Sequence, residues 1–223
     1  MSRAPASLKR FSASSDRVRR LYAVTPDEPD TEVLTRKVRQ ALAGGARIVQ
    51  YRNKSGSRAL RREQGAVLLA LCRAVDAPLI VNDDLDLALA IGADGVHLGR
   101  DDIPIGAARA KLGDGMLLGA SCYDRVELAL AARAAGADYV AFGSAFPSTT
   151  KPGATRASFA LYREAKTRLN SPIVAIGGIT PENAHTLIAA GVDAIAVISA
   201  LFDTPDIEAA AHNFDRLFDK KDS

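Results

Sequence analysis

The chain predicts an α/β protein, a (β/α)8 TIM barrel in a single domain, and three observations carry that reading. Strand-like apolar runs alternate with helix-like stretches eight times. Several of the runs are almost wholly apolar, the mark of parallel strands buried on both faces. Four helix-to-strand junctions repeat one phrase: Ala43-Gly44-Gly45-Ala46-Arg47, Ile91-Gly92-Ala93-Asp94-Gly95, Ala135-Gly136-Ala137-Asp138-Tyr139 and Ala190-Gly191-Val192-Asp193-Ala194. In each, a Gly ends the helix, and an apolar residue and a polar one turn the chain into the next strand. Repeated junctions imply repeated geometry. Eight βα units, with no spare helix and no long linker, fit in 223 residues, near the lower size limit of ~200 for this barrel. The rival is a doubly wound open sheet, but no G-x-G-x-x-G follows the first strand.

Taken in order, residues 1–19 are a basic leader and residues 20–220 the barrel. Arg3, Lys9, Arg10, Arg17, Arg19 and Arg20 stand against Asp16, a balance of +5 in the first twenty residues against +3 for the whole chain, so the body carries −2. A Ser- and Arg-rich, acid-poor leader has the composition of an organelle transit peptide and equally of a disordered bacterial N-terminus, which is the preferred reading. Residues 20–25 then read as a strand. Residues 30–42 read as a helix with Val33, Leu34, Val38, Ala41 and Leu42 on one face, closed by Gly44-Gly45. Further strands are expected at 47–52, 78–82, 95–99, 116–121, 139–143, 173–177 and 194–199. Helices are expected at 58–75, 84–91, 105–112, 124–135, 158–169, 181–190 and 207–218, and Thr180-Pro181 opens the seventh of the eight as an N-cap with proline at N1.

Composition excludes several classes. Cys72 and Cys122 lie far apart with no C-x-x-C spacing, so neither a disulfide framework nor a zinc knuckle is indicated, and a reducing, cytoplasmic setting follows. No apolar run reaches the ~20 residues needed to cross a bilayer, so no membrane partner is expected. A body of charge −2, with 5% aromatic residues and no Trp, lacks the basic, aromatic face of a nucleic-acid binder.

Barrel chemistry is sited at the C-terminal ends of the strands, and the unusual residues of this chain fall there. Val81-Asn82-Asp83-Asp84 and Gly95-Val96-His97-Leu98-Gly99-Arg100-Asp101-Asp102 are two apolar runs ending in carboxylates. Asp83 or Asp84 with Asp101 or Asp102 would suffice for Mg2+ if a phosphorylated substrate supplied the remaining oxygens; helix capping is the competing role. Strand 2 ends in Gln50-Tyr51-Arg52-Asn53-Lys54, where a period of two sends Gln50, Arg52 and Lys54 to one side and Tyr51 and Asn53 to the other. Cations aimed into a barrel mouth call for an anionic ligand. Strand 5 delivers Ser121, unless that residue only caps the next helix. The loop Ser144 to Gly153 carries Ser148, Thr149, Thr150 and Lys151 and has the length of a mobile functional loop. Gly177-Gly178-Ile179-Thr180 and Val197-Ile198-Ser199 occupy the usual phosphate position after strands 7 and 8. His97, inside an apolar strand, reads as a satisfied core histidine, and His185 and His212 as helix-surface residues.

These motifs, in this order and from about Leu21 to Phe202, resemble the thiamine-phosphate synthase family, also called thiamine-phosphate pyrophosphorylase. The resemblance implies a Mg2+-dependent transfer of a hydroxymethylpyrimidine group from its diphosphate to the nitrogen of a thiazole phosphate, giving thiamine phosphate and pyrophosphate. It implies that Gln50, Arg52, Lys54, Asn82, Ser121 and Lys151 hold the pyrimidine diphosphate, with Arg52, Lys54, Ser121 and Lys151 closest to the chemistry. Asp83 and Asp102 would hold Mg2+. Ser148, Thr149, Thr150, Gly177 or Gly178, Ile198 and Ser199 would bind the thiazole phosphate. Asn53 joins the substrate-binding group by position, where the family commonly has Glu; alternation gives it more to do in loop packing than in diphosphate contact. Ser148-Thr149-Thr150-Lys151 also replaces the usual Thr-Pro-Thr-Lys, and the missing proline would loosen the loop. The substrates are small molecules, and a homo-oligomer is compatible with the family. Two other functions share parts of this pattern: a thiazole tautomerase, which needs no metal-diphosphate half-site, and a non-catalytic phosphate-sensing barrel.

Overall fold

The computed structural model describes residues 17–147 and 155–219. Its elements in chain order are β1 (Arg20–Val24), α1 (Thr31–Ala43), β2 (Ile48–Tyr51), α2 (Arg58–Arg73), β3 (Leu79–Asn82), α3 (Leu85–Ile91), β4 (Gly95–Leu98), α4 (Ile105–Leu112), β5 (Leu117–Tyr123), α5 (Val126–Ala134), β6 (Tyr139–Phe142), α6 (Phe159–Arg168), β7 (Ile173–Ile176), α7 (Pro181–Ala189), β8 (Ala194–Val197), α8 (Ser199–Phe202) and α9 (Ile207–Asp215). The eight strands pair in parallel, each with its sequence neighbours, and β8 closes on β1. The expected barrel is therefore present.

Strand alternation divides the apolar residues into two cores. Leu21, Val49, Val81, Val96, Leu118, Val140, Ile195 and their strand neighbours point outward under the helices. Tyr22, Val24, Ile48, Ile80, Leu117, Tyr139, Ala141, Val174, Ala194 and Ala196 fill the barrel itself. Cys72 and Cys122 are both buried and unpaired, and burial pushes each thiol up to about 12. Among the described residues no helix is long and apolar enough to cross a membrane.

The repeated junction has a physical role that periodicity alone does not reveal. At Gly45, Gly92, Gly136 and Gly191 φ is 106°, 69°, 104° and 97°, in the left-handed region where a side chain is strained. The acid that follows binds a neighbouring strand. Asp94 accepts the Leu79 N–H at 2.9 Å, Asp138 the Leu118 N–H at 2.8 Å and Asp193 the Ile173 N–H at 2.9 Å. Each carboxylate thus satisfies a donor near the start of an odd-numbered strand, and Arg109 and Lys166 balance Asp138 and Asp193 at 2.6 and 2.7 Å. At the fourth junction the polar residue is Arg47, and the neighbouring strand start is held instead by Arg20, whose guanidinium meets Asp215 of α9 at 2.6 Å.

Three expectations change. The barrel does contain a spare helix, α8, and β8 stops at Val197 where a strand through residue 199 is expected. From Ser199 the chain turns into α8, whose Leu201 and Phe202 are both buried. Strand β5 runs on to Tyr123 through a register shift between Ser121 and Tyr123. Val18, counted with the leader, is 1% exposed and packs in the inner core with Tyr22 and Val24. Chain that belongs to the barrel thus begins before Arg20, because the inner core needs a side chain there that β1 does not supply.

Candidate active site

Thr25, at the end of β1, ties the first two strand ends together: its hydroxyl donates to the Arg52 carbonyl and accepts the Arg52 N–H, both at 2.9 Å. That clamp fixes the backbone from which Arg52 and Lys54 project. The Arg52 guanidinium donates to Asp27 at 3.0 Å, and the same Asp27 oxygen accepts the Lys54 N–H at 3.0 Å. Lys54 sends its half-exposed ammonium the other way, to within 3.6 Å of Asp83. Asp27 had no part in the sequence reading; an acid three residues before a helix N-cap carries no signal of its own.

Asn53 is buried, as alternation implies, and its amide builds the loop. Nδ2 donates to Gln64 at 3.0 Å and Oδ1 accepts the Gly56 N–H at 2.8 Å. Both ends of the amide are engaged within the protein, the loop-packing role that alternation favours, and Asn53 also lines the cavity beside the β2 and β3 ends.

Strands β3 and β4 are adjacent in register at Asn82 and His97, so their terminal acids meet. Asp83 holds a left-handed backbone, φ 62°, and donates its N–H to the His97 carbonyl at 2.9 Å. Asp102 accepts the Gly99 N–H at 2.6 Å. Burial raises the Asp102 carboxyl above its ordinary range; the Gly99 N–H opposes that rise, and the neighbouring Asp83 charge adds to it. Asp84 is otherwise engaged: it caps α3 by accepting the Leu87 N–H at 2.9 Å and pairs with Arg61 at 3.2 Å. Asp101 is exposed. Of the two acidic pairs, Asp83 and Asp102 are the members that face one another. Among the described residues no group of three or more His, Cys, Asp or Glu forms a complete metal cage. Two hard oxygen donors facing one another suit a divalent cation that takes its remaining ligands from substrate phosphates.

Ser121 lies on β5, five residues before α5, whose N-cap is Arg125; it does not cap that helix. Its hydroxyl sits 2.9 Å from His97 Nε2. His97 is buried, and burial pulls its imidazole down to about 4, so it is neutral at physiological pH. Gln50, 6% exposed, donates to the Tyr22 hydroxyl at 3.0 Å.

The far side of the mouth is built from backbone. Gly177 and Gly178 have φ of 102° and 62°, and a Cβ on either would overlap Ser144 or the Pro147 carbonyl. Asn183 accepts the Thr180 N–H at 2.9 Å and donates to the Gly178 carbonyl at 3.0 Å, which holds the turn open. One N–H expected in an anion cradle, that of Thr180, is thus already used. Ile198 is the N-cap of α8 and Ser199 its first residue. Ser148, Thr149, Thr150 and Lys151 lie outside the described residues.

A cavity of about 560 Å3 opens beside the β2 and β3 ends, lined by Lys54, Asn82, Asp83 and Asp84 together with Arg61 and Lys111. Gln50 and Ser121 lie instead toward the barrel axis. Arg61 Nε is buried without a partner among the described residues. The signal for Arg61 was its place in the first turn of the helix after strand 2, where side chains lean back toward the mouth.

The strand ends make a mouth charged on one arc and reduced to bare backbone on the other, so fold and site define a (β/α)8-barrel enzyme of the phosphate-handling class. Residues 21–201 match the family model described as thiamine monophosphate synthase. The chain is 58% identical over 198 residues to the thiamine-phosphate synthase of Thiobacillus denitrificans, covering 89% of this chain and 94% of that one. It is 51% identical over 215 residues to that of Nitrosospira multiformis, covering 96% and 92%. The solved thiamine phosphate pyrophosphorylase of Pyrococcus furiosus superposes with a TM-score of 0.83 at 36% identity, covering 93% of this chain and 98% of that one. The chain belongs to the thiamine monophosphate synthase family and is a transferase of thiamine biosynthesis.

Proposed function

We propose that the enzyme condenses 4-amino-5-hydroxymethyl-2-methylpyrimidine diphosphate with 4-methyl-5-(2-phosphooxyethyl)thiazole, or its carboxylated form, to give thiamine phosphate and pyrophosphate, and that it requires Mg2+ and works in the cytoplasm. The observation that carries this reading is the convergence of Asp83 and Asp102 beside Lys54. A thiazole tautomerase has no use for such a half-site, and a sensor has no need to pair it with a second anion site across the mouth.

Asp83 and Asp102 would hold Mg2+, which when bound screens the diphosphate charge. Arg52 and Lys54, with Lys151 from the loop, hold the diphosphate oxygens and stabilise the negative charge that grows as the C–O bond breaks. The bonding pair leaves with pyrophosphate. The electron-rich aminopyrimidine shares the resulting positive charge, and the thiazole nitrogen donates its lone pair to form the new C–N bond. No protein nucleophile is needed. Gln50 and Ser121 orient the pyrimidine and Asn82 the diphosphate, while Gly177, Gly178, Ile198 and Ser199, with Ser148, Thr149 and Thr150, seat the thiazole phosphate so that its nitrogen faces the reacting carbon. Pyrophosphate release is measured with both substrates, after chelation and on Mg2+ addition. Release that needs both substrates and metal is expected; release without metal, or none, removes the reading.

A further inference from the structure

Five polar side chains from five strands meet inside a barrel whose interior is otherwise apolar. Gln50 Nε2 donates to the Tyr22 hydroxyl at 3.0 Å, the hydroxyls of Tyr22 and Tyr139 are 2.8 Å apart, Tyr139 lies 3.1 Å from His97 Nδ1, and His97 Nε2 lies 2.9 Å from Ser121 Oγ. Gly119 makes the middle of the chain fit: a Cβ there would overlap the Tyr139 ring and His97 Nδ1. Burying this many polar groups is costly compared with apolar filling, so a role beyond packing is called for.

The chain has a direction. Each phenol has one proton to give, and a neutral imidazole has one N–H and one bare nitrogen. The Gln50 amide donates to Tyr22, and in the next two contacts, where either atom could be the donor, every proton finds an acceptor when Tyr22 gives its own to Tyr139 and Tyr139 gives its own to His97 Nδ1. The imidazole then carries its proton on Nε2 and donates it to Ser121. At the two ends, the Gln50 carbonyl oxygen is left as an acceptor, and the Ser121 hydroxyl keeps its proton for a ligand. A 4-aminopyrimidine offers the complement, an exocyclic amine donor beside a ring-nitrogen acceptor.

We infer that Tyr22, Tyr139 and His97 form a polarity relay that joins Gln50 and Ser121 into one recognition unit for an aminopyrimidine ring, acting as positioning residues and not as acids or bases. This rests on the proposed pyrimidine substrate and deepens it. The relay sets which end of the unit accepts and which donates, so breaking it anywhere loosens both ends while the thiazole phosphate half of the mouth is untouched.

Two measurements on the full chain test this. Nitrogen-15 NMR of the histidine rings at neutral pH reads the tautomer directly: His97 with its proton on Nε2 is expected, and a loss of that preference in Tyr139→Phe, which keeps the ring. A proton on Nδ1 in the unsubstituted protein overturns the relay. Steady-state kinetics supply the second arm. Tyr139→Phe and Tyr22→Phe should each raise KM for the aminopyrimidine diphosphate about tenfold, the cost of one hydrogen bond of about 1.4 kcal/mol, and leave KM for the thiazole phosphate within about twofold. Discrimination against a pyrimidine diphosphate lacking the amine should fall by the same factor, and Tyr139→Phe should add little in a Ser121→Ala background. Equal changes in both KM values, or full additivity, would show packing alone and overturn the relay while leaving the synthase reading in place. If the unsubstituted protein makes no pyrophosphate from the two substrates, the synthase reading falls, and the tautomer measurement still decides the relay.

Discussion

The two arcs of the barrel mouth are built differently. From β2 to β5 the strand ends carry Arg52, Lys54, Asp83, Asp102 and Ser121; Asp102 is held by Gly99 of its own loop and the others by partners on other strands or their loops. From β7 to β8 the same geometric position holds Gly177 and Gly178, where side chains are excluded by Ser144 and by the Pro147 carbonyl. The first arc works through charge that must be balanced in the free protein. The second is left as backbone because the loop after β6 occupies the space that a side chain would take. Substitutions should therefore fail electrostatically on one arc and sterically on the other.

The largest expected effect is on the charged arc. Asp83→Asn and Asp102→Asn should each slow turnover by ~100-fold or more and weaken the Mg2+ dependence, the loss expected when several kcal/mol of transition-state stabilisation runs through the metal. Asn tolerates the left-handed backbone of Asp83, so circular dichroism melting should change little. Unchanged Mg2+ titration curves in both variants would remove the charge-based account of this arc.

Next is the backbone arc. Gly178→Ala forces a Cβ against the Pro147 carbonyl at a φ of 62°. A stability loss of roughly 1–3 kcal/mol follows from the strain, and calorimetric binding of the thiazole phosphate should weaken by about tenfold or more while aminopyrimidine diphosphate binding holds. Equal weakening of both ligands would mean that the two arcs are not separate sites.

A smaller effect tests how the cations are held. Asp27→Asn removes the charge paired with Arg52 but keeps an oxygen for the Lys54 N–H, and kcat/KM should fall by roughly three- to tenfold, with a steeper salt dependence, as the guanidinium loses its orientation. A rise in activity would show instead that Asp27 competes with the diphosphate for Arg52.

Asp84→Asn should matter least. It weakens a cap and a partly exposed ion pair, at a cost of about 1 kcal/mol or less in urea unfolding, with the Mg2+ dependence of turnover unchanged. An altered metal dependence would move Asp84 into the site and undo the choice between the paired acids.

The sequence by itself determined the eight βα units, the parallel closure and the strand ends that carry the chemistry. Alternation and junction glycines are local signals: a buried parallel strand must be apolar on both faces, and a helix that ends in a left-handed turn needs Gly wherever it lies. Charged motifs were legible for the same reason, since Arg52, Lys54 and the two acidic pairs are conspicuous after apolar runs. Only the tertiary structure distinguishes Asp83 from Asp84, because the two are neighbours in sequence and differ in which way the backbone aims them: one toward Asp102, the other onto the N-terminus of α3. The same holds for Val18 and for the chain from Gln50 to Ser121. Tyr22 and Tyr139 lie unremarked in expected strands and His97 reads as a core histidine, while their hydrogen bonds span separations of up to 117 residues. Barrel closure brings them together, and no local pattern encodes a contact that exists only once β8 meets β1.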